Sequence, residues 1–384
     1  MIRGRTAAAL VGAMVAALLA GCSSQGTDAS GRSFYSGDIA RAEASLEAQL
    51  ASDEDGRALC LDELGVIALC RGDLDLAYRR FLEASQIMGA FTGTGLKEVG
   101  AIVGSEATKI WRGDPHEKLM NSYYLGVVNL LRGVDDNALA GFKNSIVVDS
   151  GQGDEKYDAD FAPSWFLEGV AYSRLDDIAL ATRSLETSRK FAPDCAACAT
   201  PTASGLIVLL DVGRGPTKYG SGQHGEATRF REHPAGCGPI DVVVDGNSVG
   251  SAQKAGDLFF QAKTRGGRDY DAVLAGKSAY KTGAHAIGTA AVITANDLPK
   301  KYQGAALLGG IGLLLTSIAV DARADVRHWT TLPAEVQLFR AELAPGTHSV
   351  TVVPPAGWKL AGPPLAPIVV PEHGNVLVYQ RIIR

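Results

Sequence analysis

The sequence predicts an α+β fold: an N-terminal array of paired helices, then a β-rich, sandwich-like half carrying a helical insertion. Three observations carry this. Apolar residues recur at helical spacing through residues 36–194, with the same glycine, alanine and phenylalanine offsets appearing more than once. After Pro193 the pattern changes to short Val-rich runs cut by Asp-Gly and Pro-Gly turns. The 384-residue length leaves room for two domains, and 46% apolar with 21% charged residues is ordinary for a globular chain. Net charge is −5 and no dense Lys/Arg stripe occurs, which argues against nucleic acid as a partner.

The N-terminus opens with Arg3 and Arg5, followed by the uncharged and mostly apolar run Thr6–Ala20. That is the pattern of a signal peptide, residues 1–21, and it is short for a membrane span. It ends in Leu19-Ala20-Gly21-Cys22, which resembles the lipobox of bacterial lipoproteins. The resemblance implies cleavage before Cys22 and acylation of its thiol and new amine, and several acyl chains give stable anchoring. Ser23 follows, in place of the Asp that often retains lipoproteins at the inner membrane, so the expected location is the outer membrane, facing the periplasm. Residues 22–35 are polar and Ser/Gly-rich and read as a flexible tether.

The helical region, residues 36–194, is organised around Lys109–Asp149. Glu117–Arg132 and Asp136–Val148 read as antiparallel helices with a turn at Gly133. Gly126 and Ala138 would allow close approach, and Leu125 and Phe142 would fill the seam. Arg57–Met88 is a second copy, with Gly65, Gly72, Ala77 and Phe81 at matching offsets. Ala162–Pro193 is a third, in which Asp176 replaces the turn glycine. Ile39, Ala42, Leu46 and Leu50 suggest a lone helix before them. Self-similarity at roughly 34 residues resembles tetratricopeptide (TPR) repeats. Insertions interrupt the register: residues 89–115, with an apolar helical piece at 96–110, and the acidic loop 150–160.

Residues 195–239 read as a hinge holding one strand (Gly205–Asp211) and the Gly/Pro-rich loop Gly213–Gly225. Residues 240–384 read as the β-rich domain. Ile240–Val249 is a hairpin signal around Asp245-Gly246, and further strands are expected at Glu335–Leu343, Ser349–Val353, Pro367–Val370 and Val376–Ile382. A helical insertion is expected at about 252–325. The segments VVVDGNSVG and LAPGTHSVTV loosely resemble the PEGA-type β modules of envelope proteins. Two longer signatures, Trp111–Pro115 with Glu117, Met120 and Tyr123-Tyr124, and Ala324-Asp325 with Arg327, Trp329, Leu332-Pro333 and Pro345-Gly346, resemble a family of bacterial envelope lipoproteins. That family pairs TPR-like helices with a C-terminal β-rich half. The resemblance implies location and architecture and brings no activity.

No catalytic constellation emerges. GxSxG, HExxH and EF-hand spacings are missing from the sequence, no His pair has metal-ligand spacing, and no cofactor is expected. Gly276-Lys277-Ser278 lacks the first glycine of a phosphate loop, and Arg265-Gly-Gly-Arg268 reads as a solvated turn. Cys60 and Cys70, about 15 Å apart along one helix, are too distant for a disulfide. Cys195-Ala-Ala-Cys198 admits three readings: a structural disulfide, inert thiols, or a redox pair, and Cys237 could bridge to either cysteine. Asp114-Pro115 with Glu117 resembles a helix-capping box.

These features predict a non-enzymatic, lipid-anchored scaffold whose helices form a groove for a partner polypeptide or for its own β half. The expected lining is Asp62, Val66, Tyr123, Val127, Phe166, Val170 and Arg174, with Trp111 and Arg112 beside it. Two alternatives stand beside it. One is a membrane-embedded component using the apolar run Gly304–Val320, expected to be a helix buried against the sandwich. The other is a thiol-redox envelope enzyme using Cys195 and Cys198.

Overall fold

The structure, a computed structural model, describes residues 25–89, 110–150, 159–198, 204–223, 225–264 and 324–384. The signal segment with Cys22, Gly276–Ser278, Arg265–Arg268, Gly304–Val320 and the expected helical piece up to residue 109 lie outside them. Among the described residues, no helix is long and apolar enough to cross a membrane.

The fold is α+β. Among the described residues, eight helices come first: α1 (Gln25–Tyr35), α2 (Ile39–Leu50), α3 (Arg57–Arg71), α4 (Leu74–Gly89), α5 (Pro115–Leu131), α6 (Asp135–Asp149), α7 (Ala162–Arg174) and α8 (Ile178–Phe191). The polar composition of residues 22–35 predicts a tether, yet Gln25–Tyr35 is helix. Phe34 is buried in the main core, and the Tyr35 hydroxyl donates to the carbonyls of Thr330 and Leu332. Those contacts come from residues some 295 positions away, so local composition does not reveal them.

Three helix pairs, α3–α4, α5–α6 and α7–α8, repeat one geometry. A side chain on Gly65 would strike Phe81, one on Gly126 would strike Phe142, and one on Gly169 would strike Leu185. Each pair turns at a residue with positive φ: Gly72 (79°), Gly133 (72°) and Asp176 (61°). The expected repeat offsets are thus occupied by these contacts. In each pair the first helix is buried all round and the second only along a stripe, as Ala77, Phe81, Ala84 and Met88 show on α4. A helix apolar on every side belongs between two layers.

The second layer is a curled, mixed seven-stranded sheet of order β8-β4-β5-β6-β1-β11-β9. Its strands are β1 (Ser204–Val212), β4 (Ile240–Val244), β5 (Asn247–Asp257), β6 (Glu335–Glu342), β8 (Val350–Val353), β9 (Lys359–Leu360) and β11 (Gly374–Ile383). Two short antiparallel pairs lie outside it: β2 (Thr217–Ser221) with β3 (Ala227–Arg231), and β7 (Gly346–His348) with β10 (Ile368–Val370). Strand β1 lies parallel to β11 and antiparallel to β6. It is buried on both faces, which is why Gly205–Asp211 reads as a nearly continuous apolar run. Leu206, Val208, Leu210 and Val212 face a β core with Val242, Phe339, Val352 and Val378, while Ile207 and Leu209 face the helices.

Two boundaries differ from the sequence expectation. Strand β1 is a central strand of the sheet, and β2 and β3 occupy much of the stretch read as a hinge. Strand β5 runs to Asp257, beyond the expected start of helix at 252, before the short helix α9 (Leu258–Thr264). Its pairing with β6 accounts for the extra length, because Gln253 to Asp257 find ladder partners between Glu335 and Leu338.

Candidate functional site

The helical layer and the sheet meet around an irregular segment, Ala324–Ala334, that crosses the first helices of the repeats. A buried chain without regular structure must find partners for its backbone N–H and C=O groups. Here charged side chains supply them. Both Glu63 oxygens accept: Oε1 from Thr330 N (2.5 Å) and Thr330 Oγ1 (2.7 Å), Oε2 from Thr331 N (3.0 Å). Glu117 Oε1 accepts from Trp329 N at 2.8 Å. Its Oε2 takes the Asp114 N–H at 2.6 Å and the Lys218 ammonium at 2.9 Å. Lys218 also pairs with Asp114 and donates to the Arg327 carbonyl, both at 2.9 Å. Arg381 closes the far end, donating to the carbonyls of Gly213 (2.7 Å) and Thr331 (3.1 Å).

Aromatic rings fill the space between these bonds. Phe81 stacks on Tyr124 with centroids 5.2 Å apart, and Trp329 leans on both at 6.1 and 5.7 Å. Tyr124 and Tyr379 both donate to Asp211 Oδ2, at 2.6 and 2.9 Å. Asp211 lies opposite Arg381 across the parallel β1–β11 ladder. Burial shapes the acids here. Desolvation pushes Glu63 up from 4.5 to about 7, although the Thr330 and Thr331 donors oppose it. Desolvation raises Asp62 well above the ordinary range and raises Asp211 too, the latter opposed by Arg381. Asp62 Oδ1 accepts from Asn121 at 2.7 Å, while its buried Oδ2 has no hydrogen-bond partner.

The expected groove residues are therefore not an open surface. Asp62, Val66, Tyr123, Val127, Phe166, Val170 and Trp111 are all buried. Arg174 donates to the carbonyls of Leu130 (2.9 Å) and Asn375 (3.0 Å), tying α7 to β11, and Arg112 is half-buried. Of the two expected occupants, a partner polypeptide or the chain's own β half, the contacts of Glu63, Glu117 and Arg174 fit the second. The structure joins the two sequence signatures instead: Glu117 from the first touches Trp329 from the second.

The cysteines divide by location. Cys60 and Cys70 are buried thiols, both pushed up to about 12, chiefly by desolvation. Cys195 and Cys198 are free buried thiols, the first preceding a short 3-10 turn (Ala196–Cys198) and the second ending it, and Ser188 Oγ donates to Cys198 Sγ at 3.3 Å. The Cys198 thiol hydrogen-bonds Cys195 and lowers its pKa, while that same bond raises Cys198. Cys237 is a free thiol beside Gln337, and no bond joins it to Cys195 or Cys198. Among the described residues, no group of three His, Cys, Asp or Glu side chains is placed to hold a metal ion.

Glu63, Asp211 and Arg381 were not singled out by sequence reasoning, although a signal exists. Each is a charge inside a mostly apolar run, and charged residues are almost never fully buried unless paired. A scan against models of known protein families finds no match for this chain, and a search of curated proteins finds none either.

Proposed function

We propose that this chain is a non-enzymatic envelope scaffold, anchored by lipid at Cys22 and facing the periplasm from the outer membrane. In this reading the three helix pairs are TPR-like repeats and the β half is sandwich-like. The repeats seat the chain's own strap where an array of this kind would seat a partner's peptide. One observation supports the reading above the others: Glu63 and Glu117 hold consecutive backbone N–H groups of Trp329, Thr330 and Thr331. Partner contact then falls to the outer turns of the array, where Val134, Leu175 and Ile178 are 36, 37 and 60% exposed.

The anchor is tested by feeding an alkyne-tagged palmitate to bacteria producing the full chain and its Cys22→Ser variant. Label and membrane association in the parent, both lost in the variant, are expected. An unlabelled parent, or label retained in the variant, would overturn the anchor. The scaffold is tested with a photo-crosslinking residue at Ile178 and, as control, at Lys143. A discrete adduct from position 178 alone is expected; identical patterns from both positions would sink the outer-turn surface.

A further inference from the structure

Cys195 and Cys198 are nucleophiles that the scaffold reading leaves without a role. Cys195 follows the end of the last repeat helix, α8, and the 3-10 turn Ala196–Cys198 brings Cys198 back to it. The Cys198 N–H donates to the Cys195 carbonyl at 3.0 Å. A turn closed by such a bond holds its first and fourth Cα atoms within about 7 Å, and a disulfide needs roughly 4.4–6.8 Å. Local backbone geometry alone therefore sets the two sulfurs at pairing range.

The other thiols are kept away from this turn. Cys195 and Cys198 belong to the core between helices and sheet, whereas Cys237 packs on the core of the opposite face. Cys60 and Cys70 lie on α3, in the first helix pair. The sheet then covers the turn. Cys195 Sγ lies 3.8 Å from the Gln253 carbonyl on β5, and the Ala196 N–H donates to Gln253 Oε1 at 2.7 Å. Cys195 and Cys198 are 2 and 1% exposed, so the folded chain offers an oxidant almost no surface at either. Chemistry at this pair has to precede that cover.

We propose that Cys195 and Cys198 close into an intramolecular disulfide while the end of α8 is still uncovered, and that β5 then seals the bond. The oxidant is itself a disulfide, carried by a small thiol compound or by an oxidase. The thiolate of one cysteine attacks a sulfur of that disulfide, forming a mixed disulfide and releasing the first thiolate. The second cysteine loses its proton, and its sulfur attacks the mixed disulfide and releases the second thiolate. The chain gives up two electrons and two protons, and the oxidant leaves as two thiols. Burial afterwards protects the bond from reduction by the same exchange. The inference goes beyond the scaffold reading and does not depend on the lipid anchor.

The test refolds the reduced, denatured full-length chain in detergent with a glutathione redox buffer, then alkylates it and digests it with trypsin. Peptide Phe191–Arg214 holds Cys195 and Cys198 and no other cysteine. Mass spectrometry should find it two hydrogens lighter than the dithiol, with Cys60, Cys70 and Cys237 alkylated. Cys237→Ser should leave that result unchanged. Oxidised glutathione added to the already folded dithiol should close the ring several-fold more slowly than it does during refolding. The oxidised chain should also unfold at a higher denaturant concentration than the chain kept reduced, because the ring restrains the unfolded state. Recovery of the peptide with both thiols alkylated, or a linkage to Cys237, would overturn the pairing. Equal rates before and after folding, or a lower midpoint for the oxidised chain, would overturn the seal.

Discussion

Glu63 offers the sharpest test of how the two halves are held together. Its carboxylate is fully buried and accepts three hydrogen bonds from Thr330 and Thr331, and no cation pairs with it among the described ion pairs. Desolvation lifts its pKa from 4.5 to about 7. The sign follows from linkage. Below the unfolded value both states hold the proton, and the group contributes nothing to the pH dependence. Between 4.5 and 7 the folded chain keeps a proton that the unfolded chain has lost, so stability falls as pH rises. Above about 7 the loss is complete. At 1.36 kcal/mol per unit it amounts to about 3 kcal/mol. Glu63→Gln cannot ionise, and its amide sets a donor against the Thr331 N–H, a constant penalty of about 1–3 kcal/mol. The difference in unfolding free energy should therefore move by about 3 kcal/mol in favour of the variant between pH 4.5 and pH 8. Denaturant titrations followed by tryptophan fluorescence measure it, because Trp329 lies directly on the clamp. Parallel pH profiles for parent and variant would refute the reasoning.

Trp329→Ala removes a ring that is 1% exposed and wedged on Phe81 and Tyr124, and should cost about 3–5 kcal/mol, seen as a lower denaturation midpoint. Asp176 holds φ at 61°, where the other two repeats use glycine; Asp176→Gly should raise stability by about 0.5–1 kcal/mol, and a loss in the same assay would contradict the strain. His348 places both ring nitrogens against oxygens, Asp245 Oδ2 at 2.7 Å and the Ala344 carbonyl at 2.8 Å, an arrangement that favours the imidazolium. The hydrogen bond to Asp245 raises its pKa above 6.5. Its contribution is present below 6.5 and lost as pH rises through the folded value, and an NMR titration should show Asp245→Asn bringing the imidazole back toward 6.5.

Much of the helical layer was legible because its determinants are local. The interval of seven between Gly65 and Gly72, and between Gly126 and Gly133, sets where a side chain must vanish and where the chain must turn. Asp114 and Glu117 were equally legible as a helix start, and the 2.6 Å contact between them agrees. The second duty of Glu117 was not, since Trp329 lies 212 residues further on. Helix α1 and the edges of the sheet were hidden for the same reason. Polar residues 25–35 become helix only against Thr330 and Leu332, and β5 outruns its helical reading only because β6 offers it a ladder. The apolar character of the first helices was visible, but periodicity does not say whether an apolar face awaits a stranger or another part of the same chain.

That last ambiguity has a physical resolution here. A segment tied covalently to the repeats reaches them at an effective concentration that a free peptide must match, commonly in the millimolar range for short flexible linkers. The strap also brings the β sheet with it, so an invading peptide would have to strip Ile207, Leu209, Leu338 and Tyr379 from the helical core as well as replace the bonds to Glu63 and Glu117. Each buried carboxylate left behind would lose donors at a cost of about 1–3 kcal/mol apiece. Displacement therefore competes against both an entropic advantage and a shared core. The scaffold proposal places partner contact on surfaces whose use leaves that core intact: the outer turns at Val134, Leu175 and Ile178.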